Sequence, residues 1–131
     1  MISKKTLVTG GAGFIGSHLV DKLLEEGHEV IVIDNFSTGR KQNLSHLKKK
    51  VNIIEADLSV HGKWEEAFNG ISHVYHLAAL ADIVPSIENP AAYYQANVNG
   101  TFNVLEACRK HKVKKVIYSA SSSCYGIPDK Y

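Results

Sequence analysis

The sequence predicts an α/β fold, a doubly wound parallel sheet with strand order 3-2-1-4-5. Three observations carry that expectation. Short β-branched apolar runs alternate with helix-length segments, a glycine-rich turn joins the first run to the first helix, and a carboxylate closes the second run. A chain of 131 residues, 44% apolar and 21% charged, is an ordinary single-domain composition. It needs neither disulfide nor metal to bury a core.

The strand runs are Thr6 to Thr9, Val30 to Ile33, Val51 to Ile54, Val74 to Leu77 and Val116 to Tyr118. They are short, β-branched and mostly apolar, and read as five buried strands. Ile15, Leu19, Leu23 and Leu24 mark the first helix, which Gly27 closes, and the polar stretch Asn35 to Asn43 reads as a turn-rich loop. Lys48 to Lys50 reads as a solvated helix end, where cations complement the dipole. Asn89 before Pro90 is a helix start, since the side chain caps and the missing N–H costs nothing in the first turn. Tyr94, Val98, Phe102, Leu105 and Cys108, three and four apart, carry that helix to near His111.

Fifteen Lys and Arg against thirteen Asp and Glu leave a net charge of +2, which excludes an electrostatic case for nucleic acid or an anionic membrane. No apolar run approaches the ~20 residues of a membrane span, and the opening MISKKTLVTGG is too short to be a signal peptide. Cys108 and Cys124 match no zinc or redox spacing and read as reduced thiols, so the cytoplasm is the expected compartment. His73 and His76 lie three apart on a strand, their side chains leave opposite faces, and no metal site is expected. His76 is expected to pack or hydrogen-bond beside a cofactor pocket, with His18, His28, His46, His61 and His111 on helix or turn surface.

The chemistry concentrates in Thr9-Gly10-Gly11-Ala12-Gly13-Phe14-Ile15-Gly16. Between a strand and a helix, such a turn offers backbone N–H groups and the positive helix end to a pyrophosphate. Gly10 permits the tight turn, Gly13 the approach of backbone to phosphate, and Gly16 the close packing of helix on strand. Asp34, eighteen residues beyond Gly16, suits a carboxylate accepting from the adenosine ribose hydroxyls and repelling a 2′-phosphate. That favours NAD over NADP, with Arg40 and Lys41 nearby acting in the other direction. The structural alternative for Asp34 is a turn-initiating carboxylate.

Further stretches, in order, are Asp34-Asn35, Asp57-Leu58, His76-Leu77-Ala78-Ala79, Asn97-Val98-Asn99-Gly100-Thr101, and Ser119 to Gly126. With the glycine turn, they make the whole chain resemble the extended short-chain dehydrogenase/reductase family, in particular its nucleotide-sugar 4-epimerases of the UDP-glucose and UDP-N-acetylglucosamine type. The resemblance implies a Rossmann-type NAD-binding domain over 1–131. By it, Asp57 and Leu58 border the adenine, Leu77, Ala78 and Ala79 line the cofactor near its phosphates and ribose, and Ser119 faces the nicotinamide side. Phe14, Ile15 and Asn35 join the cofactor set as members of the matched turns, and Ser121 carries the catalytic hydroxyl. Asp57 has the alternative of capping a turn, the alanines of filling space, and Asn97 of bonding to backbone within the fold. Ala81 stands where some epimerases carry a lysine, so a contact from that side chain is absent.

The dehydratases of that family place an acidic pair after the serine, and some decarboxylases a glutamate; Ser122 and Ser123 supply neither. Epimerisation through a transient 4-keto sugar is therefore expected, on a nucleotide-diphosphate sugar. The alternatives are a non-catalytic NAD-binding redox sensor and a nucleotide-sugar dehydratase or reductase. The family also uses a Tyr-x-x-x-Lys pair. Here Tyr75, Tyr93, Tyr94, Tyr118 and Tyr125 are followed four places on by Ala79, Asn97, Val98, Ser122 and Asp129, and Tyr131 is terminal. The expectation is a domain that stops before the final strands, the catalytic pair and the substrate domain, inactive alone, with Ile117 and Tyr118 on an uncovered edge. The family's homodimers form through the long helix, here Pro90 to His111.

Overall fold

A computed structural model describes residues 4–127, with the side chains of Lys48, Lys49, Ser122 and Ser123 outside that description. The expectations placed on the opening residues, on those four side chains and on Tyr131 therefore lie outside the described residues. Strands β1 (Lys5–Thr9), β2 (Glu29–Asp34), β3 (Asn52–Glu55), β4 (His73–His76) and β5 (Lys115–Tyr118) form one sheet in the order β3-β2-β1-β4-β5. Every pairing is parallel. The sheet is the Rossmann-type arrangement expected from the alternation of runs and helices.

Alternation along the strands sorts the core into two faces. Leu7, Ile31, Ile33 and Val74 point to one side, where Trp64 and Phe68 of the 3-10 helix Lys63–Phe68 and Val104 and Ala107 of the long helix close over them. Val8, Val30 and Val32 point to the other, against Val20 and Leu23 of helix α1 (Phe14–Glu25) and Leu44 and Leu47 of the 3-10 helix Lys41–Lys50. Burying each such aliphatic side chain contributes about 1.5–3 kcal/mol, so a charge at Leu7 or Val8, both fully buried, would undo one face. Cys108 is buried with the first cluster and Cys124 is exposed; both are free thiols.

Three local expectations change. The loop begun at Asn35 ends at Arg40, because Leu44 and Leu47, three apart as a 3-10 turn requires, pull Lys41–Lys50 onto the core. Val51 is buried but precedes β3, and Leu77 follows β4. The long helix, α3, opens at Pro90 with Asn89 Oδ1 accepting from Ala92 N at 3.2 Å, as its cap residues predict. It is not uniform, however: α-helical Pro90–Tyr93 passes through a π-helical stretch, Tyr94–Asn99, into α-helical Gly100–Lys110.

Its apolar row also lies elsewhere than a core-facing stripe would. Tyr94, Val98, Phe102 and Leu105 are 47–61% exposed, and only Cys108 of that row is buried. The inward face is instead Gly100, Asn103, Val104, Ala107 and Cys108, small residues that let the helix lie close, with Asn103 Nδ2 donating to Leu58 O at 2.9 Å. A short helix α2 (Ile83–Glu88) precedes α3.

Candidate functional site

At the carboxyl ends of the strands, the exits of β1, β2, β4 and β5 surround one open cavity of about 950 Å³. The turn after β1 forms its floor. Gly10 adopts φ +69° and runs so close to the β4 exit that a Cβ on it would lie 2.7 Å from Ala78 N. A Cβ on Gly16 would collide with the Gly10 carbonyl, whereas one on Gly13 meets only that oxygen, at 3.3 Å. Gly10 and Gly16 are thus required by packing, and Gly13 leaves open space on the cavity side.

Gly13 is the N-cap of α1, and the first intrahelical bond runs from Ser17 N to Gly13 O at 2.9 Å. The amides of Phe14, Ile15 and Gly16 precede it and present the positive end of the helix to the cavity. No acidic side chain stands in that first turn to neutralise it. Phe14 and Ile15 are 78% and 69% exposed and line the same opening, which explains why Ile15 takes no part in the core.

Asp34 is buried at the end of β2, and its two oxygens accept from Ala12 N at 2.9 Å and Phe36 N at 2.8 Å. The carboxylate thereby ties the glycine turn to the β2 exit, a structural job the sequence reading had as its alternative. It still lines the cavity with Asn35, and a carboxylate with two amides bound retains lone pairs for further donors. Asp57 likewise does both: Oδ1 accepts from Ser59 N at 2.9 Å in a local turn, and the residue lines the cavity beside Leu58.

Leu77, Ala78 and Ala79 form the wall at the β4 exit, and Ser119 the wall at the β5 exit, its amide donating to His76 O at 3.4 Å. The cavity therefore gathers every residue expected to touch a cofactor. Ser121 is not part of that wall: it lies two residues beyond Ser119, exposed, with its carbonyl accepting from Cys124 N at 3.3 Å. Asn97 bonds within the fold, Nδ2 to Leu80 O and Oδ1 from Leu80 N, each at 2.8 Å.

His76 sits beneath the wall, buried, between Thr9 and Thr101. Thr9 Oγ1 accepts from Leu77 N and Ala78 N, both at 3.2 Å, so its own proton goes to His76 Nδ1 at 2.7 Å. Nε2 then carries the ring hydrogen and donates it to Thr101 Oγ1 at 2.9 Å. Burial holds this imidazole's pKa down at about 4, so it is neutral at physiological pH. Tyr118 stacks on it with ring centroids 5.8 Å apart. The position of His76 beside the pocket follows from its strand, whereas its bonds to Thr9 and Thr101 span 67 and 25 residues and leave no local signal in the sequence. Gly39 is a further residue of the site with no such signal: a Cβ there would lie 3.0 Å from both Asp34 oxygens.

Among the described residues, no group of three or more His, Cys, Asp or Glu could hold a metal ion, and no helix is long and apolar enough to cross a membrane. Fold and cavity together define the class: a Rossmann-type sheet whose crevice opens outside the carboxyl ends of its strands, where such folds bind ligands. The model of the NAD dependent epimerase/dehydratase family matches residues 6–130, and the chain belongs to that family.

A UDP-glucose 4-epimerase of Bacillus subtilis is 40% identical over 129 residues, covering 94% of this chain and 38% of that protein. A UDP-N-acetyl-alpha-D-glucosaminuronate decarboxylase of Bacillus cytotoxicus is 38% identical over 125 residues, 95% of this chain and 39% of that protein. Among solved structures, UDP-glucose 4-epimerase from Brucella ovis in complex with NAD superposes with a TM-score of 0.88 at 37% identity, over 98% of this chain and 39% of that one. The chain thus spans about two fifths of the length of the relatives it matches.

Proposed function

We propose that residues 1–131 are the NAD-binding part of a nucleotide-diphosphate-sugar 4-epimerase. The observation that carries this is the cavity floored by the Gly10–Gly16 turn and rimmed by Asp34, Asp57, Ala78, Ala79 and Ser119. A dinucleotide fits that lining. The α1 amides and Gly13 suit a pyrophosphate, Asp34 and Asn35 an adenosine ribose, Asp57 and Leu58 an adenine, and the small alanines leave width at the β4 exit. A dinucleotide held there would supply reversible hydride acceptance: hydride leaving the sugar's C4 as a base takes the hydroxyl proton gives a 4-keto sugar, and hydride returns to the other face as the proton returns to oxygen.

The chain's own part is to bind and orient. Ser121, at the turn after β5, is the hydroxyl proposed to hydrogen-bond the reacting sugar oxygen. No tyrosine of this chain has a lysine four places on, so a base of that kind would come from outside these residues, and these residues alone are expected to be inactive. The decarboxylase relative supports a second reading, decarboxylation of a sugar acid. The run Ser119 to Ser123 contains no carboxylate, which supports epimerisation instead. The exposed row Tyr94, Val98, Phe102 and Leu105 is the proposed homodimer face, and free thiols at Cys108 and Cys124 fit the reducing cytoplasm.

Titration calorimetry with NAD on the wild type and Gly13→Val tests the cofactor reading. Gly13 has φ −71°, an ordinary conformation, and a side chain there enters the cavity at the cost of one tight contact, its Cβ 3.3 Å from Gly10 O. The expected outcome is loss of at least about tenfold in NAD affinity with at most a small drop in the unfolding midpoint. Equal affinities in the two proteins would remove the assigned pocket.

A further inference from the structure

We propose that Glu55 determines cofactor choice at the ribose end of the cavity by holding Lys41 in an ion pair, away from the place where a 2′-phosphate would lie. The proposal rests on the NAD reading above and concerns the rejection of NADP. Lys41 Nζ lies 2.7 Å from Glu55 Oε2 and 4.8 Å from the centroid of the Phe36 ring. These three residues and Ile53 line a separate small cavity of about 280 Å³, and Lys41 does not line the large one.

The pair nevertheless stands beside the ribose-reading carboxylate. Asp34 and Glu55 are register partners on adjacent strands, about 5 Å apart. The chain leading to Lys41 crosses the same spot: a Cβ on Gly39 would touch both Asp34 oxygens, and Arg40 N donates to Ala12 O at 3.0 Å. A lysine released there, on a flexible four-carbon stem, is placed to reach an anion on the ribose that Asp34 faces. Phe36, at φ +56°, offers its ring face as the second half of the dock.

Both side chains of the pair are largely exposed, at 70% and 61%, so the bond is worth little to stability and opens readily. Its effect is on where a positive charge spends its time. With Glu55 present, the ammonium is neutralised and parked over Phe36, and Asp34 repels a 2′-phosphate unopposed by it. Arg40, the other cation of the loop, has no ion pair among the described residues and is a constant background in every comparison.

The test is the ratio of NADP to NAD dissociation constants, by calorimetry at low ionic strength, for the intact protein, Glu55→Gln, Lys41→Met and the double variant. Glu55→Gln should lower the ratio about threefold to fivefold, Lys41→Met should not lower it, and the double variant should return it to the wild-type value. An unchanged ratio in Glu55→Gln overturns the proposal. An equal drop in the Lys41→Met background overturns it as well, because the effect would then be the charge of Glu55 alone. Failure of the wild type to bind either dinucleotide overturns the cofactor reading itself, a result distinct from both.

Discussion

Asp34 shows how a single side chain carries structure and recognition together. Replacing it with alanine strips acceptors from the buried amide of Ala12, at about 1–3 kcal/mol, and from the part-buried amide of Phe36, so its effect on cofactor choice should be read as the ratio of NADP to NAD dissociation constants, which is expected to fall. Gly16 and Gly13, alike in the motif, should part company on mutation. Gly16→Ala forces a methyl onto the Gly10 carbonyl and is expected to cost about 1–3 kcal/mol in urea unfolding, while Gly13→Ala, whose Cβ would stand 3.3 Å from that carbonyl, should cost far less and weaken NAD. His76 links pH to stability. Its folded pKa of about 4 lies below the ordinary 6.5, so between those values the unfolded chain takes up a proton that the folded one does not. Stability is whole above pH 6.5, falls as pH drops toward 4, and levels off below, a loss of up to about 3 kcal/mol. His73, pushed down by burial and then by Lys4 and Lys115, acts in the same direction. Urea midpoints between pH 7 and pH 5 should fall in the wild type and fall less in His76→Gln.

Among the elements, α3 separates what spacing reveals from what it does not. The three-and-four rhythm from Tyr94 to Cys108 identifies a helix correctly, yet most of that row faces outward. Rhythm reports that one side is apolar, not what covers it. The side toward the sheet uses Gly100, Asn103 and Ala107, whose small or polar side chains leave no signature in a hydrophobicity pattern. The π-helical stretch was equally invisible; within it Asn97 grips Leu80, seventeen residues away, at both ends of its amide. Asn97→Ala is expected to cost about 1–3 kcal/mol and to speed hydrogen exchange at the Leu80 amide. Phe102→Glu, at a 61% exposed position, should leave the urea midpoint within about 0.5 kcal/mol while shifting the sedimentation coefficient toward the monomer if α3 is the dimer face. A lowered midpoint with unchanged sedimentation would assign Phe102 to the fold instead.

At the scale of the whole molecule, the parallel sheet was legible because short β-branched runs alternate with helix-length segments, but only β1, β2 and β4 are covered as expected: β3 and β5 stand at the sheet edges and are exposed or half-buried throughout. The cavity was legible because its wall comes from the strand exits, which such a sheet brings to one edge. What joins those exits was not: the Thr9–His76–Thr101 chain unites β1, β4 and α3 across residues far apart in sequence. The two-faced core makes the molecule one cooperative unit through Phe68 and Val20 on opposite sides of the sheet, both fully buried. Phe68→Ala is expected to cost about 3–5 kcal/mol, a large share of a domain's stability, and to collapse protection at both faces in hydrogen exchange. The unequal cysteines offer a practical handle. Burial raises the Cys108 thiol to about 11, leaving almost no thiolate near neutrality, while Cys124 stands in solvent three residues past Ser121. A maleimide fluorophore should therefore attach once per chain, beside the exit of β5, and its emission would turn an unmodified sequence into its own optical reporter of dinucleotide or sugar arriving next door.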